Sequence, residues 1–266
     1  MASTTGFYEG RWAQPDFSAG SIRNWLVKKQ RFFVRRLSGR RGRLLDLGCG
    51  GGWRLYTRVG PVVGVDVSAA SLKTARRLYQ HVVQASLEHL PFREASFDLV
   101  VSSDVLGHVS IEAKDGALSE AVRVLRPGGI TLHYVEAEGA DPVTRFAKGQ
   151  AELYRRHIIE PEGHVGLEPA QQVCERFRAR GLTPRSERPS YKLLLYVGRV
   201  AQYFDNEYRR RSRLIAASAV VCRALRRVPP VEAAANVLVS LTLELTDRLL
   251  PDDWASGVLV EYEKPR

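Results

Sequence analysis

The chain has 266 residues, 40 lysines and arginines against 29 aspartates and glutamates, and a formal charge of +11. Its 44% hydrophobic and 26% charged content is that of a soluble globular protein and excludes a disordered chain, which would be poorer in apolar residues. No run of 18 apolar residues occurs, so no transmembrane helix is expected, and the stretch MASTTGFYEGRWAQPDF lacks the apolar core of a secretory signal. Cys49, Cys174 and Cys222 lie too far apart for a disulfide framework or a zinc cluster, so a reducing, cytoplasmic setting is expected. The basic excess admits four readings: nucleic acid, an anionic membrane surface, an acidic substrate, or a merely solvated face.

Residues 1–43 read as an N-terminal cap. Within it, 22–43 form a basic amphipathic helix running into a turn. Ile22, Trp25, Leu26, Phe33 and Leu37 supply its apolar stripe, and nine lysines and arginines occur there with no acid. From 44 to 136, strands and helices alternate. Leu44–Leu47 ends at a glycine cluster, 62–65 ends at Asp66, and short runs follow at 82–85 and 97–101. Leu118, Ala121, Val122 and Leu125 share one helical face, and Arg126-Pro127-Gly128-Gly129 reads as a tight turn into a fifth strand at 130–135. Continuous apolar strands separated by helices imply a parallel sheet covered on both faces.

Residues 137–191 read as a polar, loop-rich stretch to 167, a helix over about 169–180 with Pro169 in its first turn, and a sixth strand near 182–188. A helical insertion fills 192–256 and a final strand 257–266. In the insertion, Val231, Ala234, Ala235, Leu238, Leu241, Leu245 and Leu249 form a helical stripe. A packed lid, a homodimer interface and a membrane-facing hairpin all fit it. The basic residues flanking these helices, together with 22–43, suit peripheral contact with the inner membrane face.

Chemistry concentrates at Leu44-Leu45-Asp46-Leu47-Gly48-Cys49-Gly50-Gly51-Gly52, a glycine-rich loop directly after the first strand. Asp66 ends the second strand, where a carboxylate can accept both hydroxyls of an adenosine ribose; the bland alternative is a helix N-cap, which Ser68 can serve instead. The third glycine of a dinucleotide fingerprint is Trp53 here, so nothing is arranged for a pyrophosphate. Asp46, two residues before the loop, suits a cationic ligand better.

LLDLGCGGG (44–52), VVGVDVS (62–68), LPF (90–92) with SFDLVVSSDVLGHV (96–109), and EAVRVLRPGG (120–129) together resemble the class I S-adenosylmethionine-dependent methyltransferases, in their small-molecule branch. The resemblance covers about a third of the chain densely. It implies a Rossmann-like, doubly wound α/β fold of seven strands, the last antiparallel, here with a helical lid. It implies S-adenosylmethionine as methyl donor and S-adenosylhomocysteine as product. By the same resemblance, Asp46, Gly48 and Gly50 line the methionine part, Asp66 the ribose and Val67 the adenine. Ser86, where the family usually has Asp, contacts adenine with the Leu87 backbone, and Ser102 sits near the transferring methyl. Tyr8 and Trp12 fold over the cofactor or simply pack.

Methyl transfer from a sulfonium is an in-line displacement in which alignment supplies most of the acceleration, and a base is needed only when the acceptor must lose a proton. His108 and His164 are the candidate bases, each with a structural role as alternative; His133 reads as buried within a strand. The family often carries Glu-His where this chain has Gly107-His108, which argues against a metal on that pair, and no metal is expected. The residues after the fourth strand, Ser102-Ser103-Asp104-Val105, lack the pattern of amino-group base methylation, and no cysteine there suits pyrimidine carbon-5 chemistry. The expected acceptor is a small or lipid-linked molecule methylated on oxygen. A nucleic-acid methyltransferase and a cofactor-binding protein without turnover are the rival readings.

Overall fold

A computed structural model describes residues 4–12, 24–193 and 197–266. Ile22 and Arg23 of the expected N-terminal helix lie outside the described residues. The apolar runs form β1 (Leu44–Leu47), β2 (Val62–Asp66), β3 (His81–Gln84), β4 (Phe97–Ser103) and β5 (Leu125–Glu136), whose mutual pairings are all parallel. With β6 (Thr183–Ser190) and β7 (Gly257–Glu263) they make one sheet in the order β3-β2-β1-β4-β5-β7-β6. β7 runs antiparallel to both its neighbours. This is the doubly wound seven-stranded α/β fold the sequence implies.

Strand alternation sorts the core. Leu44, Leu99, Val101 and Leu132 pack with Phe33 and Leu37 of α2 (Asn24–Leu37) on one face, where α1 (Thr4–Tyr8) precedes α2 in the chain. Leu45, Leu47, Val65 and Val100 meet Ala121 and Val124 of α4 (Ile111–Val124) on the other. Ser68, not Asp66, caps α3 (Ala69–Ala75), its side chain accepting from the Ser71 amide. Asp66 is thereby left to the loop it faces.

Three expectations need correction. Leu125 opens β5 rather than closing α4, and Arg126–Gly129 is an irregularity inside β5: Phe97 pairs with Leu125 but Leu99 with Ile130. Gly128, at φ +74°, donates its amide to Lys264 there. Residues 142–162 are helical rather than loop: α5 (Pro142–Lys148), α6 (Ala151–Tyr154), a π-turn (Arg155–Ile159) and α7 (Glu160–Glu162). Asp141 caps α5 through the amides of Val143 and Thr144, with Pro142 in the first turn, a start signal legible in the sequence. Third, Pro169 precedes rather than enters α8 (Ala170–Arg178).

The insertion forms α9 (Val197–Phe204), α10 (Arg213–Arg226) and α11 (Pro229–Thr246). Val197, Val200, Tyr203, Phe204, Tyr208 and Cys222 bury a second small core against Ala147, Val143 and Phe146 of α5, so the insertion packs as a roof. Asp247 anchors its end, accepting the amides of Tyr191 and Lys192 and pairing with Lys28. Of the expected stripe, Leu238 and Leu245 on α11 and Leu249 beyond its end face solvent, at 67%, 73% and 85% exposed, while Ala235 packs against the small core. Among the described residues, no helix is long and apolar enough to cross a membrane.

Candidate active site

Ligands of doubly wound sheets bind beyond the carboxyl ends of the strands, where the strand order reverses. Here β1 lies between β2 and β4, and a cleft of about 1430 Å³ opens above their ends. The glycine loop forms one wall. Gly48 sits at φ +62°, and a Cβ there would come within 2.6 Å of Val105, so the chain admits only glycine. Asp66 braces the loop: its carboxylate accepts the amides of Gly50 and Ser68, each at 2.8 Å. Burial raises the Asp66 carboxyl, and those amides offset part of the effect. Each oxygen retains a further acceptor position. Asp46 is buried and accepts from the Tyr79 hydroxyl at 2.6 Å, while Tyr79 also accepts the Trp53 amide. Burial, with Asp46 beside it, pushes the Tyr79 hydroxyl well above its ordinary value, so it stays a donor.

Across the cleft, the ends of β4 and β5 carry a second set of polar groups. Asp104 follows β4 at φ +58°, a conformation non-glycine residues rarely adopt, and pairs with buried Lys29 of α2. His108 sits on the next turn, His164 on the loop after α7, and Glu136 at the end of β5. The Nε2 atoms of both histidines lie 3.9 Å from Glu136 Oε1, and the two rings are 4.7 Å apart. Burial alone would raise the Glu136 carboxyl, but the facing imidazoles hold it well below the usual range. The loop of His164 is pinned to that of His108: Gly166 donates to the Gly107 carbonyl at 3.0 Å, and a Cβ on Gly166 would lie 1.7 Å from the Val109 oxygen. Lys114 of α4, buried with Glu168, donates to the Gly166 carbonyl and to Glu168.

The methyltransferase domain family matches residues 45–133. The ubiquinone/menaquinone biosynthesis C-methyltransferase UbiE of Haemophilus ducreyi is 35% identical over 194 residues, which cover 67% of this chain and 70% of that protein. The chain belongs to the class I S-adenosylmethionine-dependent methyltransferases. A malonyl-[acyl-carrier protein] O-methyltransferase of Enterobacter lignolyticus is 40% identical over 120 residues, 43% of this chain and 47% of that protein. The chain spans only 33% to 62% of the length of several curated relatives it matches. Among solved structures, phosphoethanolamine N-methyltransferase 2 of Haemonchus contortus, in complex with S-adenosyl-L-methionine, shares the fold. It has a TM-score of 0.56 at 17% identity, over 92% of this chain and 56% of that one. These three are named for carbon, oxygen and nitrogen acceptors, so family membership leaves the acceptor open.

Asp46, Gly48, Gly50, Asp66, Val67, Ser86 and Leu87 all line the cleft. Tyr8 and Trp12 also line it, their rings 5.8 and 5.3 Å from that of His108, and the Trp12 carbonyl accepts the Gly51 amide at 2.9 Å. Ser102 does not reach it. Its hydroxyl is buried beneath, bonded to His133 Nδ1 at 2.6 Å, and Ser103 and Asp104 line the cleft instead. His133 is buried as expected, and burial alone lowers it to about 3. Sequence reasoning missed Tyr79, Lys29, Asp104 and Glu136. The signal for the last two was an acid closing an apolar strand, the same signal that found Asp66. Glu136 also removes the argument against a metal beside His108, because a carboxylate arrives from β5 instead of position 107.

Proposed function

We propose that the chain binds S-adenosylmethionine along the glycine loop and transfers its methyl group to an oxygen of a small or amphiphilic acceptor. One observation carries this reading: a glycine loop braced by Asp66 and a His108–His164–Glu136 cluster face each other across one cleft. The backbone cradle at Gly48, which a Cβ would fill, and the buried Asp46 carboxylate fit a sulfonium bearing an amino group. S-Adenosylmethionine, when bound, supplies the methyl on a positively charged sulfur. The protein aligns the acceptor oxygen, excludes water under Tyr8 and Trp12, and receives the hydroxyl proton at the histidine cluster as the new C–O bond forms and the C–S bond breaks.

Two features support an amphiphilic acceptor. Arg226, Glu232 and Asn236 carry the cleft to the turn between α10 and α11, where Val228 and Val231 are exposed. The stripe along α11 continues that apolar surface. The charge of residues 24–43 offers less to nucleic acid than its sequence suggests: Lys28, Lys29, Arg31, Arg36 and Arg40 each pair with an acid of the same chain. Calorimetric titration with S-adenosylmethionine, followed by mass-spectrometric search of cell extract for products gaining one methyl, tests the proposal. A chain that binds no cofactor rejects it, and one that binds but methylates nothing leaves a binding protein.

A further inference from the structure

We propose that His108, His164 and Glu136 form a binding site for a divalent first-row transition-metal ion, with the acceptor oxygen as a further ligand. The ion's site rests on geometry alone; its role toward the acceptor rests on the methyl-transfer reading above.

The three residues come from three separate segments, yet one ligand atom of each lies within 4.8 Å of the others. Ligand atoms about 2.1 Å from a shared ion sit roughly 3–3.5 Å apart, so side-chain shifts of about an ångström close the site. The proton placement is already suitable. His108 Nδ1 lies 3.1 Å from the Gly163 carbonyl, which only accepts, so Nδ1 carries the hydrogen and Nε2 faces Glu136 free to ligate. Such a backbone bond to the distal nitrogen is the usual support of a metal-bound histidine.

A second observation points the same way. Glu136 is 7% exposed, and its Oε2 has no hydrogen-bond partner among the described residues. A buried carboxylate oxygen left without a donor is costly, and a cation relieves it. The backbone has made room for this carboxylate: a Cβ at Gly107 would lie 3.0 Å from Glu136 Oε2 and 3.1 Å from its Cβ. The chain thus lacks an acid beside His108 and admits one from β5 into the vacated space.

Two imidazoles and one carboxylate favour Mn²⁺, Fe²⁺, Co²⁺ or Zn²⁺ over the all-oxygen preference of Mg²⁺ and Ca²⁺. Three protein ligands leave coordination positions open toward the cleft, the pattern of a catalytic site. An acceptor hydroxyl bound there loses its proton more readily. With the ion bound, both histidines are ligands and no longer take up the proton, so it leaves to solvent instead of to the cluster, an oxygen lone pair forms the C–O bond, and the C–S bond electrons return to sulfur.

The test titrates the untagged 266-residue chain with Mn²⁺, followed by electron paramagnetic resonance, and with Co²⁺, followed by its visible spectrum, both without S-adenosylmethionine. One ion per chain is expected. His164→Ala and Glu136→Gln should each weaken binding at least tenfold, and Gly107→Ala, which removes no ligand but crowds the carboxylate, should weaken it too. His89→Ala, outside the cluster, should bind as wild type. Circular dichroism identifies any variant that has lost its fold, and the remaining variants then decide. If neither ion binds saturably, or if all folded variants bind as wild type, the proposal is overturned. A chain that binds S-adenosylmethionine but neither ion overturns the metal alone; one that binds an ion at this cluster but no cofactor overturns the methyl-transfer reading alone.

Discussion

The two walls of the cleft are built by different means. The cofactor wall consists of the ends of β1 and β2 and a loop whose shape follows from where only glycine fits and from one carboxylate, Asp66, that ties the loop to the neighbouring strand. The acceptor wall is assembled from the β4 and β5 ends plus a loop and roof brought to them from distant parts of the chain and held by long-range tethers. Lys114 and Gly166 fasten the His164 loop, and Asp247 fastens the roof. A wall made by local backbone rules can be kept across a family while its acceptors change; a tethered wall can be rebuilt. The family match over 45–133 stops before the His164 loop and the roof begin.

Cutting a tether should give the largest effect. In Lys114→Met, buried Glu168 keeps only Arg176, so stability in denaturant should fall by about 3 kcal/mol, the lower end for breaking a buried pair. Cofactor affinity of the folded variant should be unchanged. A parallel loss of S-adenosylmethionine binding would show that the two walls are one unit. On the other wall, Asp66→Ala removes two charge-assisted backbone bonds and should weaken S-adenosylmethionine binding roughly 10- to 100-fold by calorimetry. Metal binding at His108, His164 and Glu136 should persist.

His133 tests the layer beneath both walls. Its folded value of about 3 lies below the ordinary 6.5, so the unfolded chain binds the extra proton first as pH falls. The stability of the neutral buried ring is full above pH 6.5 and is lost progressively toward pH 3. From pH 6.5 to 5 the loss is about 2 kcal/mol, at 1.36 kcal/mol per pH unit. Denaturant unfolding at pH 7 and 5 should show that slope in wild type and a flatter one in His133→Asn. Equal slopes would mean that the ring is protonated within the fold.

The same contrast explains what the sequence discloses. Parallel strands buried on both faces read as apolar runs, and the loop and Asp66 sit where those runs stop. The acceptor wall depends on which segments meet in space. Glu136 and His164 are 28 residues apart and meet where Gly166 docks on Gly107 and Lys114 holds the same loop. Periodicity carries no such information. Short helices such as α6 and α7 fall below the length at which a stripe is visible, although Asp141-Pro142 marks where the first of this group starts. The stripe on α11 marks the limit of periodicity: its spacing reads correctly as a helix, but spacing alone does not say whether an apolar face is covered.

That face gives the smallest effect on stability and the sharpest separation of roof from core. Leu241 and Leu245 are 56% and 73% exposed, so replacing both with glutamate removes little buried area. Stability should change by less than about 0.5 kcal/mol each, as at other surface positions. Cofactor affinity should be untouched, since the glycine loop lies on the other wall. If the stripe delivers an amphiphilic acceptor from a bilayer, wild type should sediment with vesicles containing anionic phospholipid, and the double variant should not, because two carboxylates oppose both the apolar contact and the lipid charge. Equal sedimentation of both chains would place any lipid contact elsewhere. A large loss of stability would mean instead that the stripe is covered in solution, by a second copy of the chain, and analytical ultracentrifugation of wild type would then show a dimer that the variant lacks.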